Sequence, residues 1–248
     1  MPGAVAIVTG ASGGLGWRFS KVLAAEGHAV ALAARRVGKM RDLEAEIAEA
    51  GGVAASFSFD AEDTSAPDRL IDEVEARMGM PAILINNAGI SLPGRAEDVP
   101  LEAFERTFAV NLRAPWQLSQ IVARRWIAEG SGGVIVNLSS VLSHRVEAGL
   151  SLYTASKAAI RHMTAAHALE WARHGIRVNA LCPGYVRTDI NDAFWETERG
   201  RAKIAKLPRR RVGRPEDLDS ALLFLVDPRS GFVNGEALVV DDAQGWAI

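Results

Sequence analysis

An α/β fold, with one parallel sheet covered by helices on both faces, is the architecture this sequence predicts. Three observations carry the reading. Short apolar runs recur along the chain, helical segments alternate with them, and a glycine-rich turn joins the first run to the first helix. Strands buried on both sides of a parallel sheet read as nearly continuous apolar runs rather than as alternating ones. Repeated strand–helix alternation then places helices on both faces.

In chain order the strand-like runs are AVAIVT (residues 4–9), AVALAA (29–34), VAASFSF (53–59), AILIN (82–86), GVIVNLS (133–139), IRVNALC (176–182) and ALVVD (237–241). Seven such runs predict a seven-stranded, doubly wound sheet. LGWRFSKVLAAEG (15–27) and RDLEAEIAEAGG (41–52) have helical character, and glycine stands where each should stop. The runs 101–128 and 154–173 predict longer helices. No linker, repeat or low-complexity segment divides the chain, so residues 1–248 are expected to form one domain.

Composition narrows the function classes. The chain has 248 residues, 48% of them hydrophobic, and a formal net charge of −2, which gives no reason to expect nucleic acid or an anionic membrane as partner. Cys182 is the only cysteine, so no disulfide framework or thiolate metal cluster is expected, and the five histidines lack metal-ligand spacing. Met1-Pro2-Gly3 leads straight into AVAIVT, without the basic and long apolar stretches of a signal peptide. No apolar run approaches the ~20 residues that span a bilayer. A cytoplasmic, soluble protein is the expectation.

The first run leads into TGASGGLG (9–16), and a helix follows at once. Gly10, Gly14 and Gly16 permit a tight turn and let backbone approach a pyrophosphate, with Ser12 and Leu15 between them. The helix start supplies unpaired N–H groups and a positive dipole end. Strand, glycines and helix stand in the order a dinucleotide site requires. At the end of the second run, where an NAD-binding fold places a carboxylate, this chain has Ala34, then Arg35 and Arg36. Arginine can bind a 2′-phosphate that a carboxylate would repel. NADP(H) is therefore favoured, with NAD(H) use left open. Asp60, followed by Ala61, ends the third run and can meet the adenine amine or cap a helix.

Tyr153 and Lys157 lie four residues apart in YTASK, on one face of a predicted helix. A nearby cation favours phenolate over phenol, so Lys157 is expected to draw the Tyr153 pKa below its usual value of about 10. Such a phenol could shuttle a proton near neutral pH.

These segments, taken together, resemble the short-chain dehydrogenase/reductase family in its short single-domain form. TGASGGLG (9–16), NNAG (86–89), Asn111 in AVNL, NLSS (137–140), YTASK (153–157) and PGYVRT (183–188) occur in the family's order, and the similarity extends over essentially the whole chain. The resemblance implies a Rossmann-type fold. It makes Tyr153 the general acid/base and Ser140 a hydrogen-bond donor to the substrate oxygen, with Ser139 as the alternative. Lys157 would lower the tyrosine pKa and hold the nicotinamide ribose, and Asn111 would complete a proton relay. Asn87, Ala88 and Gly89 would run along the cofactor, after Asn86 at the strand end. Pro183, Gly184, Val186 and Thr188 would cover the nicotinamide. Cys182 reads as an inert core residue.

Two departures qualify the match. Gly13 occupies a loop position where many NADP-dependent members carry a basic residue, which leaves the 2′-phosphate to Arg35 and Arg36. Asp242 stands where a glycine commonly follows the aspartate of the carboxyl-terminal segment. In the family, the segment at about 186–212 closes over the substrate. Phe194, Trp195, Val141, Leu142, His144 and Tyr185 are candidate substrate contacts, and lid packing alone would also explain them. The basic residues between Arg199 and Arg214 read as a solvated face.

The expected activity is an NADP(H)-dependent interconversion of a small-molecule ketone and a secondary alcohol, performed by a homotetramer. A 3-oxoacyl carrier-protein reductase, an idle NADP-sensing regulator and a nucleic-acid binder are the alternatives. The intact Ser140–Tyr153–Lys157 set opposes the sensor, and the net charge opposes the last.

Overall fold

A computed structural model describes residues 3–188 and 191–247. The strands are β1 (Val5–Thr9), β2 (Ala29–Ala34), β3 (Val53–Ser58), β4 (Pro81–Asn86), β5 (Gly133–Leu138), β6 (Ile176–Pro183) and β7 (Ala237–Val240). All neighbours pair in parallel, in the order β3-β2-β1-β4-β5-β6-β7. The chain winds outward from β1 to β3 and then restarts at β4 on the other side of β1. That reversal opens a crevice above the carboxyl ends of β1 and β4, the usual ligand position in such sheets.

Alternation along the strands supplies two cores. Val5 and Ile7 of β1 join Ala31, Leu84, Ile135 and Val178 in one layer, while Ala6 and Val8 join Val30, Leu32, Ile85 and Val136 in the other. Helices α1 (Gly14–Ala25), α2 (Val37–Glu49) and α9 (Asp219–Val226) bring Phe19, Leu43 and Leu222 to the second layer. Helices α3 (Ala66–Met78), α5 (Ala114–Glu129) and α6 (Ser151–Trp171) bring Ile71, Leu118 and Ala168 to the first. Strands β1, β5 and β6 are buried at every residue, as the unbroken apolar runs require, whereas the edge strands β3 and β7 are partly exposed.

The long helical run expected over 101–128 is interrupted. It folds as α4 (Leu101–Phe108), a π-helical stretch at Ala109–Arg113, then α5. The π turn holds Asn111, and such bulges concentrate at functional positions. Beyond β6, the stretch expected to cover the substrate holds two short helices, α7 (Asp192–Trp195) and α8 (Glu198–Lys206). Asp242 has φ 53°, the left-handed region in which a glycine is unstrained, and pairs there with Arg209 and Arg211 at 3.2 and 2.9 Å. The unusual aspartate thus links the carboxyl-terminal segment to the chain that follows α8.

Candidate active site

One cavity of about 1250 Å³ lies in the crevice and extends under α7 and α8. That exceeds the ~300–1,000 Å³ of an ordinary small-molecule pocket and leaves room for a dinucleotide and a substrate together. Gly10 (φ 69°) and Gly14 (φ 54°) adopt left-handed turns at its floor. A Cβ on Gly16 would fall 2.3 Å from the Gly10 carbonyl oxygen, so only glycine allows α1 to start this close to β1. Helix α1 begins without a side-chain cap and without an acidic residue in its first turn. Its first N–H groups are therefore available to a phosphate. The described residues fit a dinucleotide.

Thr9, not singled out from the sequence, pins this loop to the next one. Its buried hydroxyl accepts from the Asn87 and Ala88 N–H groups, both at 3.0 Å, while Asn87 Nδ2 donates to the Thr9 carbonyl at 2.8 Å. Asn86 turns the other way and donates to Asn137 Oδ1 at 2.8 Å and Ser119 Oγ at 3.0 Å. Asn87, Ala88 and Gly89 line the cavity, and Asn86 braces the sheet beneath it.

On the nucleotide rim, the arginines divide their tasks. Arg36 donates to the Ser12 hydroxyl at 3.1 and 3.2 Å and to the Ser12 carbonyl at 3.2 Å, so its guanidinium sits on the glycine loop. Arg35, exposed like Arg36, lies 3.7 Å from the Glu62 carboxylate. Both arginines line the cavity, and Arg36, secondary in the sequence reading, is the one that contacts the glycine loop. Asp60 caps no helix; its Oδ1 accepts from the Glu62 N–H at 3.0 Å in the turn beside Ala61, which also lines the cavity.

Ser140, Tyr153 and Lys157 converge on the cavity from β5 and α6. Of the two serines, Ser139 Oγ donates to the Lys157 carbonyl at 2.9 Å and is committed to holding α6 on the sheet. Ser140 Oγ accepts from the Leu142 N–H at 3.1 Å and retains its proton for a partner in the cavity. Lys157 Nζ donates to the Leu138 carbonyl at 2.7 Å and lies 5.6 Å from the Tyr153 ring centroid. Burial pushes the Lys157 ammonium down to about 8.

The expected acidic tyrosine is corrected. Burial raises the Tyr153 pKa, and the hydrogen bond with Ser140 opposes that shift only in part. Removing phenolate from water costs more here than the ammonium, aimed at Leu138, returns. The phenol therefore keeps its proton at neutral pH.

Asn111 is almost fully buried. Its Nδ2 donates to the Ile90 carbonyl at 2.9 Å and to Ser156 Oγ at 3.0 Å, and its Oδ1 accepts from the Ile90 N–H at 2.8 Å. These bonds fix the chain just after NNAG against α6. A Cβ on Gly89 would stand 3.4 Å from Lys157 Nζ and 3.5 Å from Asn111 Oδ1, so the two side chains share the space beside that glycine.

At the substrate end, Val141, Leu142, Tyr185, Phe194 and Trp195 line the cavity, as do Pro183, Gly184, Val186 and Thr188 on the cofactor side. His144 does not line it; it sits beyond the turn at Val141–Ser143, where its Nδ1 lies 3.0 Å from Ser143 Oγ. Sequence reasoning also missed Glu147 and Lys203, which do line it and form an ion pair across the opening. In the sequence Lys203 is one of a run of cations that reads as a solvated face, and nothing local marks Glu147. Arg201, Arg209 and Arg211 of that same stretch pair with Glu196, Asp242 and Asp217.

Comparison with known proteins identifies the family. The sequence profile described as Enoyl-(Acyl carrier protein) reductase matches residues 10–243. Gluconate 5-dehydrogenase of Gluconobacter oxydans is 36% identical over 242 residues, spanning 97% of this chain and 94% of that protein. Human L-xylulose reductase is also 36% identical over 242 residues, spanning 97% and 96%. The crystal structure of a Burkholderia cenocepacia gluconate 5-dehydrogenase, in complex with NADP and tartrate, superposes with a TM-score of 0.94 at 33% identity and covers 100% of this chain and 97% of that one. The chain belongs to the short-chain dehydrogenase/reductase family and is an oxidoreductase acting on CH–OH and C=O groups. Among the described residues no helix is long and apolar enough to cross a membrane, and no His, Cys, Asp and Glu group is arranged for a metal.

Proposed function

We propose that this enzyme uses NADP(H) to interconvert the ketone and secondary alcohol of a polyhydroxylated small molecule. The convergence of Ser140 and Tyr153 on the cavity that also holds the glycine loop carries this reading. The names of the relatives support the substrate class, and the NADP in the Burkholderia structure supports the cofactor. A bound nicotinamide would supply hydride to the carbonyl carbon, or accept it in the reverse direction.

The chain's own groups act on the oxygen. Ser140 and Tyr153 direct O–H groups at the negative charge that develops there, and preorganised donors of this kind stabilise the transition state. Tyr153, protonated at neutral pH, delivers its proton to complete the alcohol. Lys157, buried behind the tyrosine, would hold the ribose hydroxyls and return a proton to the phenol. Asn111, beside Lys157, would complete that relay. Arg36 on Ser12, with Arg35 beyond it, would take the 2′-phosphate, since Ala34 offers no carboxylate.

A 3-oxoacyl carrier-protein reductase is the second reading, favoured by the description of the matching profile. The pairing of Lys203, Arg209 and Arg211 with acids of this same chain weakens it, because those cations are not displayed for an acidic carrier. A homotetramer is part of the proposal. Exposed Trp116 and Ile127 of α5 and Leu169 of α6 suit one interface and the β7 region another.

The test follows reduced-cofactor absorbance with NADPH and NADH against neutral ketoses, keto-acids and acyl thioesters. Fastest turnover of a ketose with NADPH is expected. Preference for a thioester, or for NADH, removes the corresponding part of the proposal.

A further inference from the structure

The substrate end of the cavity contains a small polar assembly built from three separate segments. Glu147 lies in the loop before α6, Tyr185 follows β6, and Lys203 projects from α8. Tyr185 Oη donates to Glu147 Oε2 at 2.9 Å, and Lys203 Nζ pairs with Glu147 Oε1. The same ammonium stands 4.1 Å from the Tyr185 ring centroid, and that ring meets Trp195 edge-on at 5.8 Å. All four residues line the cavity that holds Ser140 and Tyr153.

We infer that Glu147 is a specificity-determining residue, whose carboxylate accepts hydrogen bonds from substrate hydroxyls remote from the reacting carbonyl. The inference rests on the ketone–alcohol activity proposed above and deepens it. A carboxylate offers about four acceptor positions and no donor, so its partners in a ligand must be O–H or N–H groups. Tyr185 and Lys203 occupy one position on each oxygen, and the carboxylate, which lines the cavity, keeps acceptor capacity beyond these two. Only 28% of the Glu147 side chain and 21% of Lys203 remain exposed, so the acceptors are held in place and partly dehydrated before a ligand arrives.

Tyr185 cannot yield its proton to this neighbour. Burial, together with the charge of Glu147, raises the phenol pKa. The O–H remains a donor and orients the carboxylate. Lys203 offsets the charge of Glu147, so the assembly suits neutral polyhydroxylated ketones, whereas an unsubstituted ketone leaves the spare acceptors unmatched. Because Lys203 rides on α8, the pair also ties the lid to the loop that precedes Tyr153. The anchoring of α8 and the recognition of hydroxyls therefore share one carboxylate.

The experiment compares L-xylulose with 2-pentanone at saturating NADPH in the parent, Glu147→Gln and Tyr185→Phe. Hydrogen bonds to a charged group correspond to a factor of roughly 10 to 150 in affinity. Glu147→Gln is expected to lower kcat/KM for xylulose by about that factor more than for 2-pentanone, chiefly through KM. Tyr185→Phe keeps the ring, removes the orienting bond and should move the ratio less in the same direction; it carries the test if Glu147→Gln does not fold. Equal losses for both ketones would make the ion pair only a lid latch and overturn the assignment. An unchanged xylulose KM with tighter binding of an anionic keto-acid would also overturn it, by giving the substrate to Lys203. If the parent reduces neither ketone, the proposed activity fails by itself. Glu147 is then read from the thermal shift that xylitol produces with NADP bound: a shift lost in Glu147→Gln supports the site, and no shift or an equal one overturns it.

Discussion

The cofactor side and the substrate side of this cavity are built in different ways. The cofactor side is built mainly of backbone and short side chains around the ends of β1 and β4, namely Gly10, Gly14 and Gly16 and the Thr9 hydroxyl under Asn87 and Ala88, with Lys157 of α6 held against the Leu138 carbonyl. Thr9 and Lys157 are buried, and their polar groups are committed to neighbours on the sheet. The substrate side consists of long side chains meeting across the opening, with Glu147, Tyr185 and Lys203 brought from positions 38 and 56 residues apart. The first side holds a constant chemistry in place. The second can change its ligand with one substitution and leave the sheet undisturbed.

That contrast predicts where substitution is most damaging. The largest effect is expected at Tyr153→Phe, which removes the proposed proton donor. Loss of general acid catalysis should reduce turnover by about 10²–10⁴-fold for every ketone while leaving cofactor binding nearly unaltered. Because burial raises the phenol pKa, alcohol oxidation by the parent should accelerate as pH rises above neutral, and ketone reduction should not. Turnover close to parental in this variant would take Tyr153 out of the chemistry. It would also remove the contrast between the two sides.

The next effect concerns stability. In the folded protein without cofactor, burial pushes Lys157 down to about 8 from an ordinary 10.5. Below pH 8 both states hold the proton, and the folded state bears the full cost of a buried ammonium. Between about 8 and 10.5 the unfolded chain binds more protons, so this group adds stability as pH rises. The shift corresponds to at most about 3 kcal/mol. Urea unfolding of the parent and Lys157→Met should show the difference moving in the parent's favour across that window. A difference independent of pH would mean that the lysine is better solvated than its contacts indicate.

A smaller effect is expected at the nucleotide rim, where the fixed side meets solvent. Arg36→Ala removes both the cation and the clamp on Ser12, and should raise the KM for NADPH by about 10-fold, the low end for a charge-assisted bond at an exposed site. Arg35→Ala should do less, because Glu62 already engages that side chain. A larger loss at Arg35 than at Arg36 would make Arg35 the principal phosphate ligand. An equal loss for NADH would show that the clamp, rather than the phosphate contact, is what matters.

By itself the sequence determined the sheet and its winding, and it marked the glycine turn and the Tyr–Lys pair, because each rests on local patterns. An unbroken apolar run is a buried parallel strand, glycines at a strand end permit a turn that no other residue can make, and a Tyr–Lys spacing of four puts both on one helix face. What the tertiary structure decided depends on groups distant in the chain. It committed Ser139 to α6 and left Ser140 to the cavity, interrupted the 101–128 helix at Asn111, and set Arg36 rather than Arg35 on the Ser12 hydroxyl. It reversed the direction of the Tyr153 shift, because desolvation is a sum over everything packed around the phenol, whereas spacing reports only one neighbour. It turned His144 away, and it paired Glu147 with Lys203, two residues that carry no mark until the lid brings them together. Local rules are legible wherever backbone geometry demands a residue type. A meeting of long side chains across an opening leaves no such demand in the sequence, since many charged residues could occupy either position.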